Sequence, residues 1–317
     1  MSAVQALFSI LLNGLQLGAI FALLGIGLTI ILGTMNFLNL AHGALYLIGA
    51  YTGMLTMQVV TLRTGLLQDL GFQELGFGWG FLAAVVVVPV VGFVVGVLME
   101  RYVAKPFYKR PHTDQLLVTF GLALVVEELV KQVIGGNTFQ SSAPDTLFGL
   151  GVSGPVQLPI VGGFPRWRLV IILIAFLVIG LTWLFMERTD WGLIVKAGTL
   201  DSEMVSLLGV RIGRSYALVF GIGAALAAFA GLIGATFETV RPQIGTQRAL
   251  VPAFLVLVVG GAGSVRGAIV GGIILGTVLA AFQQTFSQWG QIVMYALVVL
   301  VLVVRPQGVF GSVEVGE

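Results

Sequence analysis

The sequence contains no cysteine among its 317 residues, so disulfide frameworks and thiol metal sites are excluded. Charge is nearly as scarce. Only 9% of residues are Asp, Glu, Lys or Arg, against roughly 25% in soluble domains. A chain with so little charge cannot cover its own surface in water. There are two histidines, His42 and His112, and five aspartates, too few for a metal cluster or a paired-carboxylate hydrolytic site. No Gly-Lys pair occurs anywhere, which removes the phosphate-binding loop of an ATPase. The net charge is a modest +2 and the basic residues cluster in loops rather than along one face, which leaves no footprint for nucleic acid. The chain is therefore not expected to be an enzyme in its own right, and no cofactor is expected.

What is present is apolar length. Hydrophobic residues make up 57% of the chain and mean hydropathy is +1.03. A spanning helix needs about 20 apolar residues, so the length allows about eight to ten spans. The fold class expected is all-α, a polytopic transmembrane helical bundle forming a single domain over 1–317. Apolar segments fall at 5–32, 42–60, 81–99, 115–134, 169–186, 215–237, 249–263, 268–286 and 291–304. The first reads as a span rather than a removable signal, because no basic region precedes it. The seventh is short and holds Pro252 and several glycines, so it could be broken or re-entrant. The 44 glycines suit helices that pack closely through small residues.

The basic residues orient the bundle. Arg101, Lys105, Lys109 and Arg110 follow the third segment, and Arg188, Lys196, Arg211 and Arg214 follow the fifth. Both loops are expected in the cytoplasm, together with Arg266, Arg305 and the C-terminus; the N-terminus is then outside. On the other side, 135–168 is rich in Gly, Pro and Ser with apolar patches at Phe148 and Leu150. It is either a small ordered cap or docking surface, or a plain flexible loop.

Four places could carry chemistry. Between the first two spans, Asn36, Asn39 and His42 interrupt apolar sequence, with Gly43 and Tyr46 just after. Amides and imidazoles are costly in hydrocarbon, so these residues either line a translocation path or form a polar cap and turn in which Asn39 starts the second helix. In the cytoplasmic stretch 187–214, residues 201–209 read as a short amphipathic helix. Asp201 sits near its N-cap, Glu203 in its first turn, Met204, Leu207 and Leu208 on one face, and Gly209 at its stop. Such a helix either docks a cytoplasmic partner or lies on lipid headgroups. Glu127 and Lys131, four apart beside Glu128, can form a local ion pair or belong to a proton relay. The glycines of 260–272 mark tight packing at an inner turn rather than a nucleotide site.

Two stretches carry a resemblance to a known family. Residues 28–33 (LTIILG) with 39–51 (NLAHGALYLIGAY), and 196–210 (KAGTLDSEMVSLLGV) running into 224–231 (AALAAFAG), resemble the permeases of branched-chain amino-acid ABC transporters. The likeness continues through 260–272 and covers essentially the whole chain. It implies import of leucine, isoleucine or valine by alternating access, with ATP hydrolysed elsewhere. Urea, amides or other amino acids are alternatives within the family. A secondary transporter driven by an ion gradient is the alternative outside it. The implied partners are a second, related permease, two cytoplasmic ATP-binding subunits and an extracytoplasmic solute-binding protein, within the lipid of the cell inner membrane. The family's coupling helix falls on 201–209, with Lys196 just before it. Two positions depart from the pattern: Ala44, often acidic in relatives, and Arg266, where proline is common.

Overall fold

A computed structural model gives the architecture and describes residues 3–61, 77–140, 143–159, 162–200, 202–210, 212–286, 288–305 and 307–310. Eleven helices follow in chain order: α1 Ala3–Met35, α2 His42–Thr61, α3 Phe77–Met99, α4 His112–Ile134, α5 Arg166–Arg188, α6 Asp190–Leu200, α7 Ser202–Leu207, α8 Ile212–Ala235, α9 Val251–Gly260, α10 Val265–Thr285 and α11 Gly290–Val304. A π turn, Glu100–Ala104, extends α3. A second π turn, Gly245–Leu250, leads into α9. Among the described residues, five helices are long and apolar enough to cross a membrane: α1, α3, α5, α8 and α10. Two shorter apolar runs, Gly245–Gly260 and Gly290–Val304, accompany them.

Burial separates central helices from peripheral ones. The most apolar windows of α1 and α8 are 83% and 78% buried, those of α3 and α5 only 28% and 22%. On α5 the residues Leu173, Leu177 and Leu181, each four apart, form an exposed apolar stripe, as a lipid-facing helix requires. In hydrocarbon, apolar burial supplies little drive between helices, so close packing of small residues must do the work. Helix α1 shows this on two sides. A Cβ on Gly27 would lie 2.6 Å from the Gly223 carbonyl oxygen of α8, and one on Gly18 would lie 2.8 Å from the Ile273 Cα of α10. Backbones touch there because no side chain intervenes.

Contacts between loops sort the connections into two ends. At one end, where α1 stops, the Tyr108 hydroxyl reaches Met35 Sδ at 3.4 Å, Glu187 joins Lys196 and Arg266, and Val309 N–H donates to the Val259 carbonyl at 2.8 Å. All the loops read as cytoplasmic from their Lys and Arg content meet at this basic end. The opposite, cap end holds three two-stranded pairings: β2 Thr146–Leu147 with β3 Leu150–Gly151, β4 Pro155–Leu158 with β5 Gly162–Pro165, and β1 Phe139–Gln140 with β6 Thr239–Val240. The described residues of 135–168 thus form an ordered cap. Phe148 (φ 51) and Gly149 (φ 78) make the tight turn of the first hairpin, both in the left-handed region. The seventh apolar segment, 249–263, holds the end of the second π turn and α9, within an unbroken apolar run from Gly245 to Gly260 that is shorter than the five spans. Its wide π turn precedes Pro252, whose missing N–H is harmless at the start of α9.

Candidate functional site

The chain between α1 and α2 turns back into the bundle. Asn36 ends α1 in the left-handed conformation (φ 49), its N–H still donating to the Leu32 carbonyl at 2.8 Å; asparagine tolerates that conformation better than most residues. Phe37 is then fully buried, with ring centroids 5.9 Å from Tyr108 and 6.1 Å from Phe220. The backbone amides of its neighbours are met by α4. Leu38 N–H donates to Gln115 Oε1 at 3.1 Å, and Leu40 N–H donates to Thr119 Oγ1 at 3.0 Å. Gln115 Nε2 in turn donates to the carbonyls of Phe107 and Arg110, both at 3.2 Å. Gln115 and Thr119 are buried, one turn apart, and sequence reading overlooked them. The available signal was two polar side chains at i, i+4 on an apolar helix.

Asn39 and His42 are both fully buried. Asn39 Oδ1 accepts the Ala41 N–H at 3.0 Å, a local turn at the entry to α2. His42 Nε2 lies 3.0 Å from the Leu24 carbonyl oxygen and donates to it. Leu24 stands eleven residues before the end of α1, so the imidazole pins α2 well back along α1. Asn39 Nδ2 and His42 Nδ1 have no hydrogen-bond partner among the described residues. Gly43 packs on Gly245, where a Cβ would lie 2.6 Å from the carbonyl oxygen. Tyr46 is buried and its hydroxyl sits over Gly234 of α8. The five residues therefore gather around the first turn of α2 but face different neighbours. The crevice beside them, about 240 Å³, is lined by Ala41, Ala44, Leu45 and apolar side chains of α3 and α4.

The loop at 187–214 is mostly helical. Thr189 Oγ1 accepts the Gly192 N–H at 3.2 Å and starts α6, a helix the sequence reading left out although Thr189-Asp190 is a fair start signal. Helix α7 follows. Val205 is its buried residue, while Met204, Leu207 and Leu208 are 55%, 83% and 77% exposed. Gly209 (φ 85) ends it. Asp201 lies outside the described residues, as does the side chain of Glu203. Lys196 of α6 pairs with Glu187 at the end of α5 (2.8 Å), and the same carboxylate meets Arg266 at 3.7 Å. Thr29 pins the turn that carries Arg266: its hydroxyl lies 3.3 Å from the Gly261 carbonyl oxygen and accepts the Gly263 N–H at 3.0 Å. A cavity of about 190 Å³ opens between these groups.

The acidic pair on α4 is arranged differently from expectation. Lys131 bonds to Glu128, three residues before it, at 3.3 Å. Glu127 accepts instead from the Thr246 hydroxyl at 2.8 Å, joining α4 to the π turn before α9. Glu127 therefore serves a contact between helices that spacing along α4 could not reveal.

At the cap end a polar cleft lies between α1, α10 and the loop after α8. Trp167 Nε1 donates to Thr236 Oγ1 at 2.9 Å and Arg168 Nη1 donates to Asn13 Oδ1 at 2.6 Å. Glu238, just beyond α8, faces the cleft. Burial pushes its carboxyl above the usual carboxylate range, opposed by the nearby Arg248 and Arg241.

A bundle of apolar helices, its basic loops gathered at one end and an exposed apolar helix set between two spans, defines a multi-pass membrane protein of the transport-permease class. Residues 10–302 match the family described as branched-chain amino acid transport system / permease component, and the chain belongs to that family. It is 30% identical over 305 residues to the high-affinity branched-chain amino acid transport system permease protein LivH of Salmonella typhimurium, covering 96% of this chain and 95% of that one. It is 32% identical over 308 residues to BraD of Pseudomonas aeruginosa, covering 96% of both chains. The permease LivM of Escherichia coli is 27% identical over 311 residues, covering 91% of this chain and 67% of that one. No solved structure matches the chain.

Proposed function

We propose that this chain is one of the two permease subunits of an ABC importer that carries leucine, isoleucine or valine into the cytoplasm. The observation that carries the reading is likeness along 96% of the chain to permeases named for high-affinity branched-chain amino acid transport. A LivM-type subunit is the second permease, since permeases bearing both names resemble this chain. Two ATP-binding subunits on the cytoplasmic side supply the energy, as the sequence has no phosphate-binding loop of its own. A solute-binding protein delivers substrate from outside. The basic end faces the cytoplasm of a cell with its inner membrane around the bundle, and the C-terminus lies inside.

In this reading α7 is the coupling helix, within the stretch 201–209 that the sequence marks for that role. Met204, Leu207 and Leu208 dock on an ATP-binding subunit, because a water-facing apolar triplet at a loop is stable only when covered. Closure of the ATP-binding subunits displaces α7 and, with it, α6. The Lys196–Glu187–Arg266 chain carries that displacement to the end of α5 and to the turn before α10, and the two permeases rock between outward- and inward-open states. The return at Asn36, Asn39 and His42, with Gly43 and Tyr46, braces the path between α1 and α8.

The test is uptake of radiolabelled leucine into proteoliposomes holding this chain with its permease partner and ATP-binding subunits. Uptake that requires both internal ATP and external binding protein is the expected result. ATP-driven uptake of urea or an amide alone would replace the substrate. Uptake by this chain alone on an ion gradient would overturn the reading.

A further inference from the structure

Glu238 stands in the wall between two cavities at the cap end, of about 370 and 240 Å³, which share Leu17, Glu238 and Gln283. The larger is lined also by Gln16 and Arg168. The smaller adds Phe21, Leu279 and Arg248. Two features set this place apart from an ordinary polar rim. First, the half-buried Glu238 carboxylate makes no hydrogen bond and no ion pair within 4 Å to any described residue, although Arg248 and Arg241 act on it from farther away. Second, Gln16 is only 3% exposed and lines the cavity without a hydrogen bond to a described residue. Polar groups that face a cavity without a protein partner are left for water or a ligand to satisfy. Arg168 is held by Asn13 at one nitrogen (2.6 Å), which fixes its planar fork relative to the cavity.

The cleft thus presents an unpaired anion, a fixed cation, a buried amide and an apolar wall together. A ligand satisfying all four carries a cation and an anion close together and a short apolar tail. We propose that the cleft is a receiving site in the permease for a zwitterionic aliphatic amino acid. Glu238 takes the α-ammonium, Arg168 takes the α-carboxylate, and the side chain lies against Leu17, Phe237 and Ala280 of the larger cavity. The proposal rests on the importer reading above and places the substrate at the end assigned to the outside. The buried Tyr46 ring lies within electrostatic reach of Glu238 and Arg248, which connects the cleft to α2 and the return behind it.

The experiment uses the complete transporter in nanodiscs without binding protein. Saturation-transfer NMR compares L-leucine with leucinol, which lacks the carboxylate, and with isocaproate, which lacks the ammonium. The wild type is expected to prefer leucine to both. Glu238→Gln is expected to weaken leucine at least ten-fold and to erase its preference over isocaproate. Arg168→Gln is expected to erase its preference over leucinol. Glu238→Asp, which keeps the carboxylate, is expected to restore the preference, and the unfolding midpoint of each variant separates lost binding from lost fold. A wild type that does not discriminate, or variants that discriminate as the wild type does, overturn the site. Proteoliposomes of the wild type that fail to import leucine overturn the importer reading instead, and the NMR comparison still decides whether the cleft binds the zwitterion.

Discussion

The return at 36–41 and the helix α7 are built on opposite plans. In the return, Asn39 is buried and the part-buried backbone amides of Leu38 and Leu40 are met by Gln115 and Thr119. At α7 Val205 is buried but Met204, Leu207 and Leu208 face outward, with Leu207 and Leu208 among the most exposed of the described leucines. The return is finished within this chain. In its proposed coupling role, α7 is completed only by the subunit that covers it. The contrast teaches that a residue's importance for stability and its importance for transport come apart in this protein, and mutations should separate them.

The largest effect is expected from Gln115→Leu, which orphans the Leu38 N–H and the carbonyls of Phe107 and Arg110. Stability should fall by about 2–4 kcal/mol, since each of the three part-buried bonds lost is worth ~1 kcal/mol; the unfolding midpoint of the purified protein in detergent reads this. An unchanged midpoint would mean that α4 does not hold the return. Leu207→Asp is the mirror case. The midpoint should not move, because the side chain is exposed, while ATP-driven uptake should drop at least ten-fold and ATP hydrolysis should persist. Full-rate uptake would remove α7 from the coupling role.

A smaller effect sharpens the comparison at the join between α6 and the bundle. Glu187→Gln leaves Lys196 and Arg266 without their shared anion. The side chains are partly exposed (29%, 45% and 67%), so screening by solvent keeps the stability change slight. Uptake per ATP hydrolysed should nevertheless fall several-fold, and an unchanged ratio would show that the chain of charges transmits nothing. Asn39→Ala removes the acceptor of the Ala41 N–H and should lower the midpoint modestly, by ~1 kcal/mol. If transport slows more than the midpoint predicts, Asn39 also serves the path. The smallest effect is expected from Lys131→Ala. Its pair with Glu128 is about half exposed on both sides, and neither midpoint nor uptake should change measurably.

Much of the architecture was legible because it is written in local composition. Apolar runs marked the helices, Lys and Arg sorted the loops, and the spacing of Met204, Leu207 and Leu208 before Gly209 described α7 closely. The site was less legible. Asn36, Asn39 and His42 stood out as polar residues in apolar sequence, but nothing nearby named Leu24, Gln115 or Thr119 as their surroundings. Lys131 was matched to Glu127 by a four-residue spacing, whereas the helix offered Glu128 at three and Thr246 drew Glu127 away. Arg266 looked unpartnered until the fold brought Glu187 to it.

By itself, the sequence determined that this protein lives in lipid, that its helices pack through glycine, that its basic loops share one side, and that an apolar helix projects from one of them. Each follows from residue type and spacing over a few turns, where neighbours along the chain are neighbours in space. Only the tertiary structure decided how the return is held, where Glu187 sends its two contacts, and that Glu238 stands unpaired in a cleft. Those arrangements join residues as distant as Leu38 and Gln115, 77 apart, or Asn13 and Arg168, 155 apart. Such pairings depend on which helix faces lie together, and that is set by the packing of the whole bundle.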